Sequence, residues 1–166
     1  FFRERMKNIL KEKKIRTDII EASISSHLSD NFLELYKKTL IMNKFISKDL
    51  GKNAVSTYKR ASNILDQEKL ASKNGPDAVL FKHEEEKELF ERINTIRKAF
   101  TLKEEKKNYE DHLKLLSDAK LLTDKFFDNV KVNDENQDLK NNRLELLQIL
   151  CSTFNSFVDF SKLEGT

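Results

Sequence analysis

Leu139-Lys140-Asn141-Asn142-Arg143-Leu144-Glu145-Leu146-Leu147-Gln148-Ile149-Leu150-Cys151-Ser152-Thr153-Phe154-Asn155-Ser156-Phe157-Val158 is the most apolar stretch of the chain. Leu144, Leu147, Leu150, Cys151, Phe154, Phe157 and Val158 return at the three- and four-residue spacing of a helix. Apolar side chains fall on nearly every side, so this helix should lie at the centre of a bundle. The whole composition points the same way. Only 3 Gly and 1 Pro occur in 166 residues, which leaves few turns for hairpins and no Gly-rich phosphate loop. Charged residues make up 36% beside 38% hydrophobic residues, 12 of them Phe, enough for a core wrapped in a solvated surface. No apolar run approaches the ~18 residues of a membrane span. The expected fold is all-α, a bundle without strands.

Working outward, Phe2, Met6, Ile9 and Leu10 make a stripe on a first helix over residues 1–14. Thr17-Asp18 reads as the cap of a second short helix carrying Ile19, Ile20 and Ile24. Ser29-Asp30 reads as the start of a third, with Leu33, Tyr36, Leu40 and Met42 inward. Gly51 offers a break, after which Ala54, Tyr58, Ala61 and Leu65 form a stripe ending near Asp66. Residues 67–80 hold Gly75-Pro76 and little periodicity, so a linker is placed there. Beyond it, Leu89, Ile93, Ile96 and Phe100 share a face, preceded by Glu84-Glu85-Glu86, whose charge suits the positive end of a helix. Tyr109, Leu113, Leu116 and then Phe126-Phe127 follow, with a break expected near Leu121, and a polar loop runs from Asp128 to Asp138. The expected organisation is a basic helical subdomain over 1–66, a linker over 67–80, and a second helical bundle over 81–166.

Charge is uneven. Residues 1–66 carry 14 basic and 8 acidic side chains, a net +6; residues 67–166 carry 17 and 20, a net −3. A basic half fits a nucleic-acid partner, and it equally fits Lys-rich helix faces that merely solvate the protein. The single Cys151 excludes an internal disulfide, suits a reducing, cytoplasmic setting, and falls in an apolar stripe where an inert thiol is expected. His27, His83 and His112 lack a second ligand at metal spacing and read as surface or capping residues. Ser25-Ser26-His27 is too local for a nucleophile–base arrangement. The opening Phe1-Phe2-Arg3, with no initiator Met, reads as the start of a piece of a longer polypeptide. Nothing here composes a catalytic constellation.

Several stretches are more particular. Lys59-Arg60-Ala61-Ser62-Asn63-Ile64-Leu65 gives K-R-x-x-N-I-L, Phe126-Phe127-Asp128-Asn129-Val130-Lys131-Val132 gives F-F-D-x-V-x-V, and Asn142-Arg143-Leu144-Glu145-Leu146-Leu147 gives N-R-L-x-L-L. The chain closes on Asp159-Phe160-Ser161-Lys162-Leu163, and Arg16-x-Asp18 stands near its start. Together and in order these resemble the C-terminal part of the bacterial glycyl-tRNA synthetase beta subunit. The second half also looks like the helical anticodon-binding domain named for its D-A-L-R motif. The chain departs from the family pattern at Lys14, where Gly is usual nearby, at Thr17 (His), at Leu122 (Pro) and at Lys140 (Arg). The tetrad itself reads Gln137-Asp138-Leu139-Lys140, which keeps charge but loses the planar fork of Arg.

The resemblance implies a part in ATP-dependent attachment of glycine to its tRNA by an assembly of alpha and beta subunits. It places the catalytic site, with ATP and Mg, on the alpha subunit. This stretch would then hold no cofactor, grip the tRNA for glycine, and contact no membrane. The candidate RNA-binding residues are Lys59, Arg60, Asn63, Lys131, Asn133, Lys140, Asn141, Asn142 and Arg143. Lys59, Arg60 and Asn63 share a helix face that either touches phosphate and sugar or bridges to a neighbouring helix. Lys131 to Asn142 is an exposed polar stretch suited to unstacked anticodon bases. Arg143, at the edge of the core stripe, is expected to pair with Asp128 or Asp124, and Phe126 and Phe127 are expected in the core. The alternative function is a non-catalytic protein-interaction or scaffold module with no nucleic-acid role.

Overall fold

The computed structural model describes residues 1–27, 31–68, 74–101 and 108–165. Among them are seven α-helices: α1 (Phe2–Glu12), α2 (Thr17–Ser26), α3 (Phe32–Ile46), α4 (Asp49–Gln67), α5 (Glu84–Phe100), α6 (Tyr109–Asn129) and α7 (Gln137–Asn155). Short 3-10 turns follow at Ala78–Leu80 and Phe160–Lys162. The described residues include no strand and no helix long and apolar enough to cross a membrane.

Helix α7 is the axis. Leu144, Leu146, Leu147, Leu150 and Phe154 are fully buried, so apolar side chains on opposite sides of the helix all find partners. Helices α4 and α5 flank it, and α6 packs across both, making a four-helix group. Burying a Leu or Phe stabilises by roughly 1.5–3 kcal/mol, so this concentration makes α7 the centre of stability. Helices α2 and α3 add a layer, with α3 against α4 and α6, and one apolar cluster runs from Leu10 to Leu163. The linker expected over 67–80 separates α4 from α5 in the chain, yet α4 packs directly on α6 and α7. Residues 69–73 of that linker lie outside the described residues.

Helix starts depend on asparagine. Asn31 accepts from the Glu34 N–H (3.1 Å), Asn108 from Glu110 and Asp111 (3.1 and 3.3 Å), and Asn136 from Asp138 and Leu139 (2.9 and 3.2 Å). Each carbonyl takes the place of the partner that first-turn N–H groups lack. The helix expected to open at Ser29-Asp30 has its cap at Asn31 instead, and Ser29 and Asp30 lie outside the described residues.

Four other expectations are corrected. Leu33 is exposed, because α3 turns Leu35, Thr39, Met42, Phe45 and Ile46 inward. Gly51 is a buried residue of α4; the chain breaks at Ser47-Lys48. There a Cβ on residue 51 would overlap the Phe45 carbonyl oxygen, so only Gly lets the α3–α4 corner close. Helix α6 continues through Leu121, which faces solvent and interrupts no hydrogen bond. Thr17 and Asp18 lie inside α2, and Asp18 engages Arg16 Nε and Nη2 (3.0 and 2.6 Å) and the Glu164 N–H (2.8 Å).

That last contact explains two of the quoted motifs. Arg16-x-Asp18 ties the start of α2 to the end of the chain. Asp159 caps the Phe160–Lys162 turn by accepting from the Ser161 N–H (3.2 Å), while its own N–H reaches the Ala22 carbonyl (3.0 Å). Phe160 is then fully buried against Tyr58 and Phe154, with ring centroids 5.7 and 5.0 Å away.

Candidate nucleic-acid interface

The candidate residues fall on the C-terminal half of α4, the loop 130–136 and the first turns of α7, with the last turns of α6 beside α4. Two contacts tie α4 to α7: Lys140 Nζ to Glu68 Oε2 at 2.7 Å near the start of α7, and Asn155 Nδ2 donating to the Tyr58 hydroxyl at 3.1 Å near its end. The link between α4 and α6 is Arg60, whose Nη1 lies 3.4 Å from Asp124 Oδ1 and whose guanidinium carbon lies 4.3 Å from the centre of the Phe127 ring. Lys120 Nζ holds the other Asp124 oxygen at 2.6 Å.

Beneath this surface is a buried charge pair. Arg143 and Glu86 have side chains only 2% and 1% exposed, with Nε to Oε1 at 3.0 Å. Arg143 Nη1 also donates to the Lys131 carbonyl (2.9 Å) and to Asp134 Oδ2 (2.7 Å). The second Glu86 oxygen accepts from the Lys82 and His83 N–H groups, both at 2.8 Å, closing the start of α5. Every oxygen of Glu86 is therefore satisfied, as a buried carboxylate requires. Asp134 is held below the ordinary carboxylate range by the Asn136 N–H first and by Arg143 next. The loop 131–136 is thus fastened from inside by Arg143, and Lys131 and Asn133 stay on its exposed rim.

The structure separates the nine sequence-predicted residues into three groups. Arg60, Asn63, Lys131 and Asn133 are exposed. Lys59, Lys140 and Asn141 are half-buried: the Lys59 ammonium lies beside Gly165, Lys140 is paired with Glu68, and Asn141 accepts from Gln137 Nε2 at 2.9 Å. Asn142 and Arg143 are interior. Asn142 brackets the Asp77 backbone, accepting its N–H (2.6 Å) and donating to its carbonyl (3.0 Å), so its amide is engaged on protein and faces away from solvent. Arg143 is the buried arginine foreseen, with Glu86 and Asp134 as partners in place of Asp128 or Asp124. Glu86 is the residue that sequence reasoning missed. It sits within an acidic run fully explained by helix polarity, and its partner is 57 positions away.

Other candidates take structural places. Phe126 is in the core, whereas Phe127 is half-buried as the floor under Arg60. His83 precedes α5, but His27 and His112 are buried, the latter with its ring 4.6 Å from that of Phe100. Burial pushes the Cys151 thiol up to about 12, so it stays protonated and inert. Asp66, Glu68, Asp124, Asp128, Asp134 and Glu135 are interspersed among the basic residues of these segments, so no general positive field covers them.

Residues 54–161 match the family model of the DALR anticodon binding domain. The chain is 37% identical, over 163 residues and 98% of its length, to the glycine–tRNA ligase beta subunits of Rickettsia africae (strain ESF-5) and Rickettsia conorii (strain ATCC VR-613 / Malish 7). It is 30% identical, over 169 residues and 99% of its length, to the corresponding subunit of Dinoroseobacter shibae. It spans 24% of the length of each of these relatives. The matched segment takes in α4, both arginines and the fastened loop, so it begins within the expected 1–66 subdomain and crosses the expected linker, all inside an all-α bundle. The chain belongs to the DALR anticodon binding domain family.

Proposed function

We propose that this chain is the tRNA-binding, C-terminal part of a glycine–tRNA ligase beta subunit, contacting the anticodon of the tRNA for glycine. In that role it supports ATP-dependent attachment of glycine to its tRNA in the cytoplasm. An alpha subunit would carry the catalytic site with ATP and Mg, and this chain would contribute grip and discrimination. The observation that carries the reading is the anticodon-binding family match over 54–161 inside a chain similar to such beta subunits over nearly its whole length. The geometry supports it through the loop 131–136, which Arg143 holds still while Lys131 and Asn133 face outward. A loop already ordered costs less entropy when it engages unstacked bases.

The RNA-contacting set proposed is Arg60 and Asn63 on α4, Lys131 and Asn133 on the loop, with Lys59, Lys140 and Asn141 at the margin. Binding of the tRNA for glycine, set against bulk tRNA and against the same tRNA with a substituted anticodon, tests the reading. Selective binding weakened by anticodon substitution is the expected result. Lys131→Ala should lower the slope of affinity against salt by about one phosphate contact, and Asn133→Ala should lower selectivity with the slope intact. Equal affinity for all three RNAs would remove the anticodon from the proposal, and no affinity at low salt would remove RNA altogether.

A further inference from the structure

Among the described residues, Arg60 is the arginine whose guanidinium lies over an aromatic ring while its side chain stays open to solvent. Its guanidinium carbon is 4.3 Å from the Phe127 ring centre, and the side chain remains 48% exposed. Phe127 thus covers the guanidinium from one side, and about half of the side chain stays open to solvent. The edge is not free in the same way: Nη1 points at Asp124 Oδ1, 3.4 Å away, and Asp124 is held there by Lys120 at 2.6 Å. A phosphate approaching that edge meets a carboxylate. A flat aromatic group approaching from the open side meets a cation already held by a ring and a carboxylate.

We propose that the outer face of Arg60, backed by Phe127, is a stacking position for one unpaired RNA base. The proposal rests on the RNA-binding reading above and deepens it. Guanidinium planes stack on bases as aromatic rings do, and such stacking depends little on the general field. That independence matters here, because Asp124 lies against the guanidinium and disfavours a purely electrostatic grip. Asn63, three residues along the same face and exposed, is placed to offer its amide to the edge of a base seated on Arg60. A fixed plane also loses less side-chain freedom on binding than a lysine would.

The test is the binding of an anticodon stem–loop RNA for glycine, carrying 2-aminopurine at single loop positions, to the full chain. Wild type should quench the fluorescence at one loop position. Arg60→Lys keeps the charge and loses the plane, so affinity should fall roughly tenfold with that quench abolished and the salt slope unchanged. Phe127→Leu should weaken the quench in the same direction, with the melting temperature recorded to show the variant folded. Wild-type affinity and quench in Arg60→Lys would overturn the proposal. So would Arg60→Ala lowering the salt slope by about one phosphate contact with the quench intact, since that marks an edge contact to phosphate. A wild-type chain that binds no RNA overturns this proposal and the functional reading together; wild-type binding with an inert Arg60→Lys overturns this one alone.

Discussion

Arg60 on α4 and Arg143 on α7 stand in motifs of the same kind, and their surroundings could hardly differ more. Arg143 is 2% exposed, with Nε and Nη1 committed to Glu86, Asp134 and the Lys131 carbonyl. Arg60 is 48% exposed, with one edge on a half-exposed aspartate and one face on a ring. The interior arginine shapes the loop that faces outward. The surface arginine is what remains available to a ligand. On a surface that carries little net positive charge, what a cation can do for a ligand depends on which of its donors are still unengaged.

The largest effect should come from breaking the interior partner. Arg143→Ala leaves Glu86 buried and uncompensated, and removing one member of a buried pair costs about 3–5 kcal/mol. Arg60→Ala removes a surface pair and part of a cation–π contact, for a loss of about 1 kcal/mol or less. Urea unfolding of both variants measures the contrast directly. Similar losses in the two would erase the distinction between an inner lock and an outer platform. Arg143→Met combined with Glu86→Leu sharpens it, because replacing both charges should restore much of what Arg143→Ala removes.

Arg16 and Asp18 give an intermediate case, with side chains 41% and 5% exposed. Burial pushes the Asp18 carboxyl upward, but hydrogen bonds from Arg16 and the Glu164 N–H outweigh it and hold the group below the ordinary carboxylate range. A carboxyl with a lowered folded value contributes stability that is fully present above its unfolded value, about 3.9, and is lost as pH falls through the folded one. Wild type should therefore lose more stability than Asp18→Asn as pH drops from about 5 toward 3. Parallel pH profiles for the two proteins would show that this contact, unlike the Arg143 lock, contributes nothing through charge.

How far these differences were legible from the sequence follows from the range of each signal. The central place of α7 was legible because its period is local and its composition extreme. The stripe of α4 was legible in the same way, and Leu89, Ile93 and Ile96 of α5 are fully buried as their spacing requires. Glu86 was not, since a carboxylate in a run of three looks the same whether it faces water or an arginine 57 residues on. Asn142 misled for the same reason: an amide suited to a base edge is equally suited to the Asp77 backbone. Gly51 was read as a chain break because a close helix approach leaves no local pattern. The caps at Asn31, Asn108 and Asn136 were present in the sequence, each with an acid two or three residues later, and that spacing is the signal by which they can be found.

The smallest effect is expected where backbone geometry alone is at stake. Lys14 has φ +59°, the left-handed region. Its N–H reaches the Lys11 carbonyl (2.8 Å), and the Ile15 N–H reaches the Leu10 carbonyl (3.3 Å), which together close the end of α1 in a Schellman motif with Ile15 buried beneath. That motif favours glycine at the left-handed position. A residue with a Cβ gives up about 1–2 kcal/mol there, while glycine returns about 0.5–1 kcal/mol through its freer unfolded chain. Lys14→Gly should therefore stabilise by about 0.5–1 kcal/mol, raising the urea midpoint with no change in the denaturant slope. Lys14→Ala should be nearly neutral, because it keeps the Cβ and removes only a solvated cation. Destabilisation by Lys14→Gly would mean that the ammonium, and not the strained backbone, decides this position, and Lys14 would then join Arg60 as a surface cation with work beyond solvation.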